Sequence, residues 1–287
     1  MTKEVKDVLE RIDAEFHHLS KQQKEIATYI RENYDKVAFM NALKLGQQVG
    51  ASEATVVRFA SRLGYDGYPG MKKAMQELIR NRLTAVQRIE VTRENMGSQD
   101  ILTSVLNADM HKLRQTLEKV DMDAFAQTVE AMHKARRIYI LGLRSSAILS
   151  SFMGFCLNLT FDNVRIVNDT YVSEVFEQVI NITDQDVLFA MSFPRYSRRT
   201  VKTMDYARSR GAKIIALTDS ERSPIAGVAD VCLYAKSDMV SFLDSLVAPL
   251  SVINAILVAL SFKDERFLAA CERLEQIWSE HNVFEGK

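Results

Sequence analysis

Val5, Val8, Leu9, Ile12, Phe16 and Leu19 recur at the spacing of one helical face, and Ser20 followed by Gln23 forms a capping box for a second helix running to about Asn33. A third helix covers Ala42–Val49; Gly50 and Ala51 break it, and Ser52 caps a fourth. The stretch Gln76–Met96 is charged, free of proline and sparse in apolar positions, so it reads as a helical linker fading near Gly97 and Ser98. Up to about residue 120 every periodic segment is helical. After residue 135 short β-branched runs alternate with helical stretches: Arg137–Leu141, Val164–Val167, Val187–Met191, Lys213–Leu217 and Val231–Leu233. Most are apolar at nearly every position, as strands covered on both faces must be. This predicts an all-α domain over residues 1–80, a helical linker over 81–108 and, over 109–287, an α/β three-layer sandwich with a five-stranded parallel sheet. Its ligands belong at the carboxyl ends of the strands.

Composition narrows the role. The 287 residues are 47% hydrophobic and 26% charged, which excludes a disordered or fibrous chain. Lys plus Arg and Asp plus Glu both number 37, so no global field attracts a polyanion. Locally the balance differs: Lys44 to Arg88 holds eight Lys or Arg against three Asp or Glu, an excess of +5. Cys156, Cys232 and Cys271 are far apart and set among apolar neighbours, the pattern of buried thiols in a reducing compartment. Met1–Glu10 lacks the apolar core of a signal peptide, and the apolar run Leu246–Phe262 carries Pro249, Ser251 and Asn254, as a buried helix of a soluble domain does. The cytoplasm is the expected compartment, with no membrane partner.

At 100° per residue, Val56, Phe59, Ala60 and Leu63 fall within an arc of about 100°, while Ala54, Thr55, Arg58, Ser61 and Arg62 fall on the opposite side. One face is core; the other is small, hydroxylated and basic. Gly46 stands where a supporting helix would cross this one, and Gly50 permits the turn between them, the layout of a helix-turn-helix. The stretch SEATVVRFASRLGYDGYPGMKKAM resembles the signature of the RpiR-type bacterial transcriptional regulators, the similarity running from Leu19 to about Leu78. The resemblance implies sequence-specific binding of double-stranded operator DNA through Ser52, Thr55 and Arg58, with Tyr65, Tyr68, Lys72 and Lys73 at phosphates. Arg62 joins them from the basic face.

Two strand-to-helix turns are rich in hydroxyls, LGLRSSA over Leu141–Ala147 and MSFPRYSRRT over Met191–Thr200. Free N–H groups at such a turn attract an anion, and serines complete the shell. The pair resembles the sugar isomerase (SIS) domain, which RpiR-type regulators carry behind their helix-turn-helix and which binds phosphorylated sugars. Thr218, Ser223-Pro224 and Ala229-Asp230 match its fourth strand and following helix, extending the similarity over roughly Ala124–Phe262. By that resemblance Ser146, Ser192 and Ser197 hold a phosphate. Two positions depart from it: Arg144 replaces a loop glycine, and Pro194-Arg195 replaces a Ser-Gly pair. Arg144 and Arg195 either bind the phosphate or carboxylate directly, or pair with acids such as Asp169 and Asp184 or with a neighbouring subunit.

Isomerases of this fold need a base. Glu174 and Glu177 are the candidates near the pocket, both better read as surface residues of an amphipathic helix, and His17, His18, His111, His133 and His281 all lie outside the two loops. A sensory role therefore ranks above catalysis, the effector being a phosphorylated sugar or sugar acid, with no metal or cofactor implied. A sugar-phosphate isomerase and a pure oligomerisation module are the alternatives. A homodimer or homotetramer is expected, because an operator with two half-sites demands paired readers and Leu246–Leu260 is long enough for core and interface together.

Overall fold

The structure, a computed structural model, describes residues 8–79, 84–86, 88, 89, 92, 100–169, 174–238, 243–263 and 265–284. The chain divides into two compact units, residues 1–97 and 98–287.

The first unit is helical: α1 (Val8–Glu15), α2 (Lys21–Val37), α3 (Ala42–Val49), α4 (Glu53–Arg62) and α5 (Gly67–Ile79). The Ser20–Gln23 capping box is present in both directions, at 3.4 Å and 3.2 Å. Asn33, the expected end of α2, leaves helical geometry at φ −131°, but the helix resumes and runs to Val37. Asn41 caps α3, accepting from the Lys44 amide at 2.7 Å, and Gly50 closes it in the left-handed conformation at φ +65°. Ile12, Ile26, Ile30, Leu45, Val56, Phe59, Met71 and Met75 are fully buried and form the centre of the unit. Val5 lies outside the described residues. Of the expected linker over 81–108, residues 84–86, 88, 89, 92 and 100–108 are described; Gln76–Ile79 before it belong to α5, and Ile101 begins the first helix of the second unit.

The second unit runs α6 (Ile101–Leu117), α7 (Met122–Lys134), β1 (Ile138–Gly142), α8 (Ala147–Asn158), β2 (Val164–Val167), α9 (Val175–Gln178), β3 (Val187–Met191), α10 (Arg198–Ser209), β4 (Lys213–Thr218), β5 (Val231–Tyr234), α11 (Val247–Lys263) and α12 (Glu265–Glu280). All five strands are parallel, in the order β2-β1-β3-β4-β5. Alternation along the strands divides the core in two. Ile138, Ile140, Phe189, Met191, Ile215 and Leu217 pack with residues of α7, α8 and α11; Tyr139, Leu141, Leu188, Ala190, Ile214 and Ala216 pack with residues of α9 and α10. That is the three-layer sandwich. The helix expected between β4 and β5 is absent among the described residues: Pro224 and Gly227 punctuate this stretch, which crosses in turns and buries Ile225. The apolar run near the C-terminus is α11, with Ile253, Ile256 and Leu260 in the core. No single described helix is long and apolar enough to cross a membrane.

Candidate DNA-reading and anion-binding sites

In the first unit the turn between α3 and α4 is drawn tight by the Ala51 amide, which donates to the Gly46 carbonyl at 2.9 Å. A Cβ on Gly46 would stand 2.5 Å from the Ala51 carbonyl oxygen, so the glycine makes room for the turn itself rather than for a crossing helix. Ser52 caps α4: its Oγ accepts from the Thr55 amide at 3.2 Å and lies 2.8 Å from Thr55 Oγ1, which in turn accepts from Arg58 Nη2 at 3.4 Å. This chain of bonds fixes the start of the helix and tethers Arg58.

Arg58 and Arg62 are exposed, Arg62 facing Glu15 at 3.6 Å. Lys73 is exposed and Lys72 half-buried, both on α5. Two expectations are corrected. Thr55 is only 8% exposed and packs on the core side, because at 100° per residue it falls at the border of the two faces. Its hydroxyl is spent on Ser52 and Arg58, so it positions those residues. Tyr68 is 4% exposed, its hydroxyl donates to the Met40 carbonyl at 3.1 Å, and desolvation pushes its pKa up to about 12. It is a core tyrosine satisfied by backbone, not a phosphate contact. Tyr65 is half-buried beneath Arg11, whose guanidinium carbon lies 4.5 Å from the ring centroid. Arg11 also donates to the Leu63 carbonyl at 2.8 Å and so holds the end of α4.

In the second unit, Gly142 pairs with Met191 and Met191 with Leu217, so the loops leaving β1, β3 and β4 start side by side at the carboxyl edge. The first loop turns sharply. A Cβ on Gly142 would sit 2.4 Å from the Ser146 carbonyl oxygen and 2.8 Å from Ser150 Cβ, so only glycine lets the loop fold back onto the strand. Arg144 adopts the left-handed conformation at φ +57°, and its amide donates to Asp169 Oδ1 at 3.4 Å. Non-glycine residues pay strain for this geometry, which recurs where function demands it. Ser146 is buried, at the entrance to α8, and makes no capping bond through its side chain.

Ser192 is buried; its carbonyl accepts from Thr218 Oγ1 at 2.7 Å, tying the second loop to the third. Ser197 is the N-cap of α10, with Oγ accepting from the Thr200 amide at 3.4 Å. Thr200 Oγ1, in the first turn of that helix, is buried and without a hydrogen-bond partner among the described residues. Arg195 is exposed between the two serines. Neither the Arg144 nor the Arg195 guanidinium forms an ion pair with a described acid: the backbone of Arg144, not its side chain, meets Asp169. Asp184 precedes β3, a strand length of roughly 16 Å from Arg195's loop.

Tyr196 and Asp219 join this cluster although no motif in the sequence marks them. Tyr196 donates its hydroxyl to Asp219 Oδ1 at 2.7 Å, and Asp219, buried just past β4, also receives Thr218 Oγ1 at 3.3 Å. The rule that ligands meet the carboxyl ends of strands points to both positions. Glu174, the N-cap residue of the one-turn α9, and Glu177 on that turn are exposed, Glu174 facing Arg199 at 3.6 Å.

Residues 6–82 match the helix-turn-helix domain of the rpiR family, and residues 131–259 match the SIS domain. A helix-turn-helix transcriptional regulator of Haemophilus influenzae is 28% identical over 79% of this chain and 79% of its own length. The sugar isomerase domain of an RpiR transcription factor from Sphaerobacter thermophilus is 30% identical, with a TM-score of 0.57, over 62% of this chain and 99% of that one. The Vibrio vulnificus NanR protein, solved with ManNAc-6P, shares the fold at 21% identity and a TM-score of 0.59, over 98% of this chain and 100% of its own. A helix-turn-helix of the rpiR family is thus followed in this chain by a parallel SIS sandwich, and the chain belongs to the RpiR family of transcriptional regulators.

Proposed function

We propose that the SIS domain is the sensor of this regulator, holding the anionic end of a phosphorylated sugar or sugar acid between the loops that leave β1 and β3. The observation that carries the reading is the left-handed Arg144 beside the buried Ser146, on a loop whose strand pairs directly with the one leading to Ser192. Ser146, Ser192 and Ser197 supply hydroxyls, the first turns of α8 and α10 supply the positive ends of helix dipoles, and Arg144 and Arg195 supply guanidinium groups. The phosphosugar bound by the Vibrio relative fits this chemistry.

The domain is assigned no catalytic role. Glu174 and Glu177 are exposed at a single helical turn, and the histidines lie outside both loops. In the first unit, Ser52 and Arg58 meet base edges while Arg62, Tyr65, Lys72 and Lys73 meet phosphates, Thr55 holding the first two in place. The regulator works in the cytoplasm as a homodimer or homotetramer, because paired half-sites need paired readers. The described structure offers a face for that pairing: Ile148, Phe152, Phe155 and Leu159 are exposed along α8 and the residue that follows it.

The test is a thermal-shift screen of the full-length protein with sugar phosphates, sugar acids and inorganic phosphate. A sensed compound raises the melting temperature by mass action, and Ser146→Ala and Ser192→Ala weaken its binding without unfolding the domain. Unchanged affinity in both variants would move the site elsewhere.

A further inference from the structure

Among residues 8–79 the exposed large hydrophobic side chains are Leu43 and Val57, 51% and 38% exposed, both in the helix-turn-helix. Leu43 belongs to the supporting helix α3; Val57 belongs to α4, the reading helix. The other large aliphatic side chains between residues 8 and 79 are at least partly covered, and in the described stretch beyond them Val86 and Ile89 are exposed outside the helix-turn-helix. Valine is also a poor choice for a solvent-facing helical position, since its branched side chain loses rotamer freedom there without compensating burial.

The surroundings of Val57 indicate what would cover it. At 100° per residue Ala54, Val57, Arg58 and Ser61 span an arc of about 100° on the side of α4 away from Val56, Phe59 and Leu63. Within that arc Ser61 Oγ is turned back onto the Val57 carbonyl at 3.2 Å, and Arg58 is tethered through Thr55. The strip therefore presents one cationic fork at Arg58 and, beside it, only the methyl groups of Ala54 and Val57. In a major groove hydrogen-bonding edges are offered by every base pair, but an apolar group is offered by thymine alone, through its 5-methyl.

We propose that Val57, flanked by Ala54, reads the 5-methyl group of a thymine in each operator half-site, next to the base contacted by Arg58. This deepens the DNA-reading role above and rests on it. Arg58 supplies polar discrimination; Val57 adds a methyl-for-methyl contact that excludes water from between them.

The experiment begins with selection of the operator from a random duplex pool by the full-length protein. Each thymine of the selected site is then replaced in turn by deoxyuridine, which removes the methyl and leaves every hydrogen-bonding group in place. One thymine per half-site should show about a fourfold loss of affinity, the worth of one methyl-sized group removed from water. Val57→Ala should lose a similar factor on the thymine duplex and should no longer distinguish uracil from thymine at that position. Circular dichroism should show its helicity unchanged, because Val57 lies outside the core. Val57→Thr, which keeps the branch and one methyl, should retain part of the discrimination. The proposal is overturned if no thymine is sensitive to loss of its methyl, or if the sensitivity persists undiminished in Val57→Ala. A pool that yields no enriched sequence would remove the base-reading role of α4 itself, and this contact with it.

Discussion

The two candidate sites of this chain are built on opposite plans. The DNA reader is one helix whose outward face carries exposed side chains, Ala54, Val57, Arg58, Ser61 and Arg62, while its inward face is the core. The proposed anion site lies at the carboxyl ends of the central strands, where Ser146 and Ser192 are buried and the geometry is set by backbone at Gly142 and Arg144. A helix face tolerates exchange of its side chains with little cost to folding. A loop at the carboxyl ends of the strands does not, because the atoms that shape its backbone are the ones proposed to meet the ligand. Changes to the reader should therefore separate function from stability, and changes to the loops should mix them.

The largest effect is expected at the loop. Gly142→Val forces a side chain into the Ser146 carbonyl and Ser150, and should destabilise the second unit by about 3 kcal/mol, the upper range for overpacking. Denaturant unfolding of the full chain, followed by a probe in the second unit, measures it; an unchanged midpoint would mean that the loop opens at no cost. Next comes Arg58→Ala, expected to lose about 2 kcal/mol of discrimination between operator and random DNA with an unchanged melting temperature. Lys72→Ala should instead weaken both DNAs alike and lower the salt slope by about 1. Parallel salt titrations of the two variants distinguish these outcomes.

Tyr68 breaks the simple contrast, because it sits in the reading unit yet behaves as core. Tyr68→Phe should cost about 1 kcal/mol of stability for the lost hydrogen bond and leave DNA affinity at neutral pH unchanged. The folded phenol has its pKa raised to about 12, above the unfolded value, so the folded state holds its proton more tightly. Its contribution is fully present below pH ~10 and is lost as the pH rises from there through about 12, a decline that Tyr68→Phe should lack. Alkaline unfolding curves of the two proteins provide the check. The smallest effect tests the mixing of roles at the loop: Arg144→Gly should stabilise by roughly 0.5–1 kcal/mol, the left-handed strain relieved less the added chain entropy of glycine, while weakening anion binding. A variant both more stable and equally tight would leave the arginine without a ligand role.

What could be read in the sequence follows from the range of the interactions. The caps at Ser20 and Ser52 and the break at Gly50 are local, and all three are present. The strands are legible because burial on both faces leaves continuous apolar runs, with both ends of β1 and the carboxyl ends of β4 and β5 displaced by one residue. Thr55 escapes the helical wheel because it stands at the border of the two faces, and Tyr68 escapes the resemblance because a matched residue type does not say whether its polar tip is buried. The contacts that shape the sites join distant positions: Arg11 with Leu63, Tyr196 with Asp219, Arg144 with Asp169. No spacing rule links such pairs. The left-handed backbone at Arg144 was hidden for a further reason, since arginine does not ordinarily mark that conformation as glycine does.

A regulator that senses a ligand in one domain and reads DNA with the other requires free energy to pass between the two sites. This coupling is tested most directly by measuring the affinity of the full-length protein for its selected operator, with and without a saturating sugar phosphate or sugar acid identified by thermal shift. The predicted result is a change of roughly 5- to 150-fold, with operator DNA changing the affinity for that compound by the same factor. Equal operator affinities with and without the compound would contradict it.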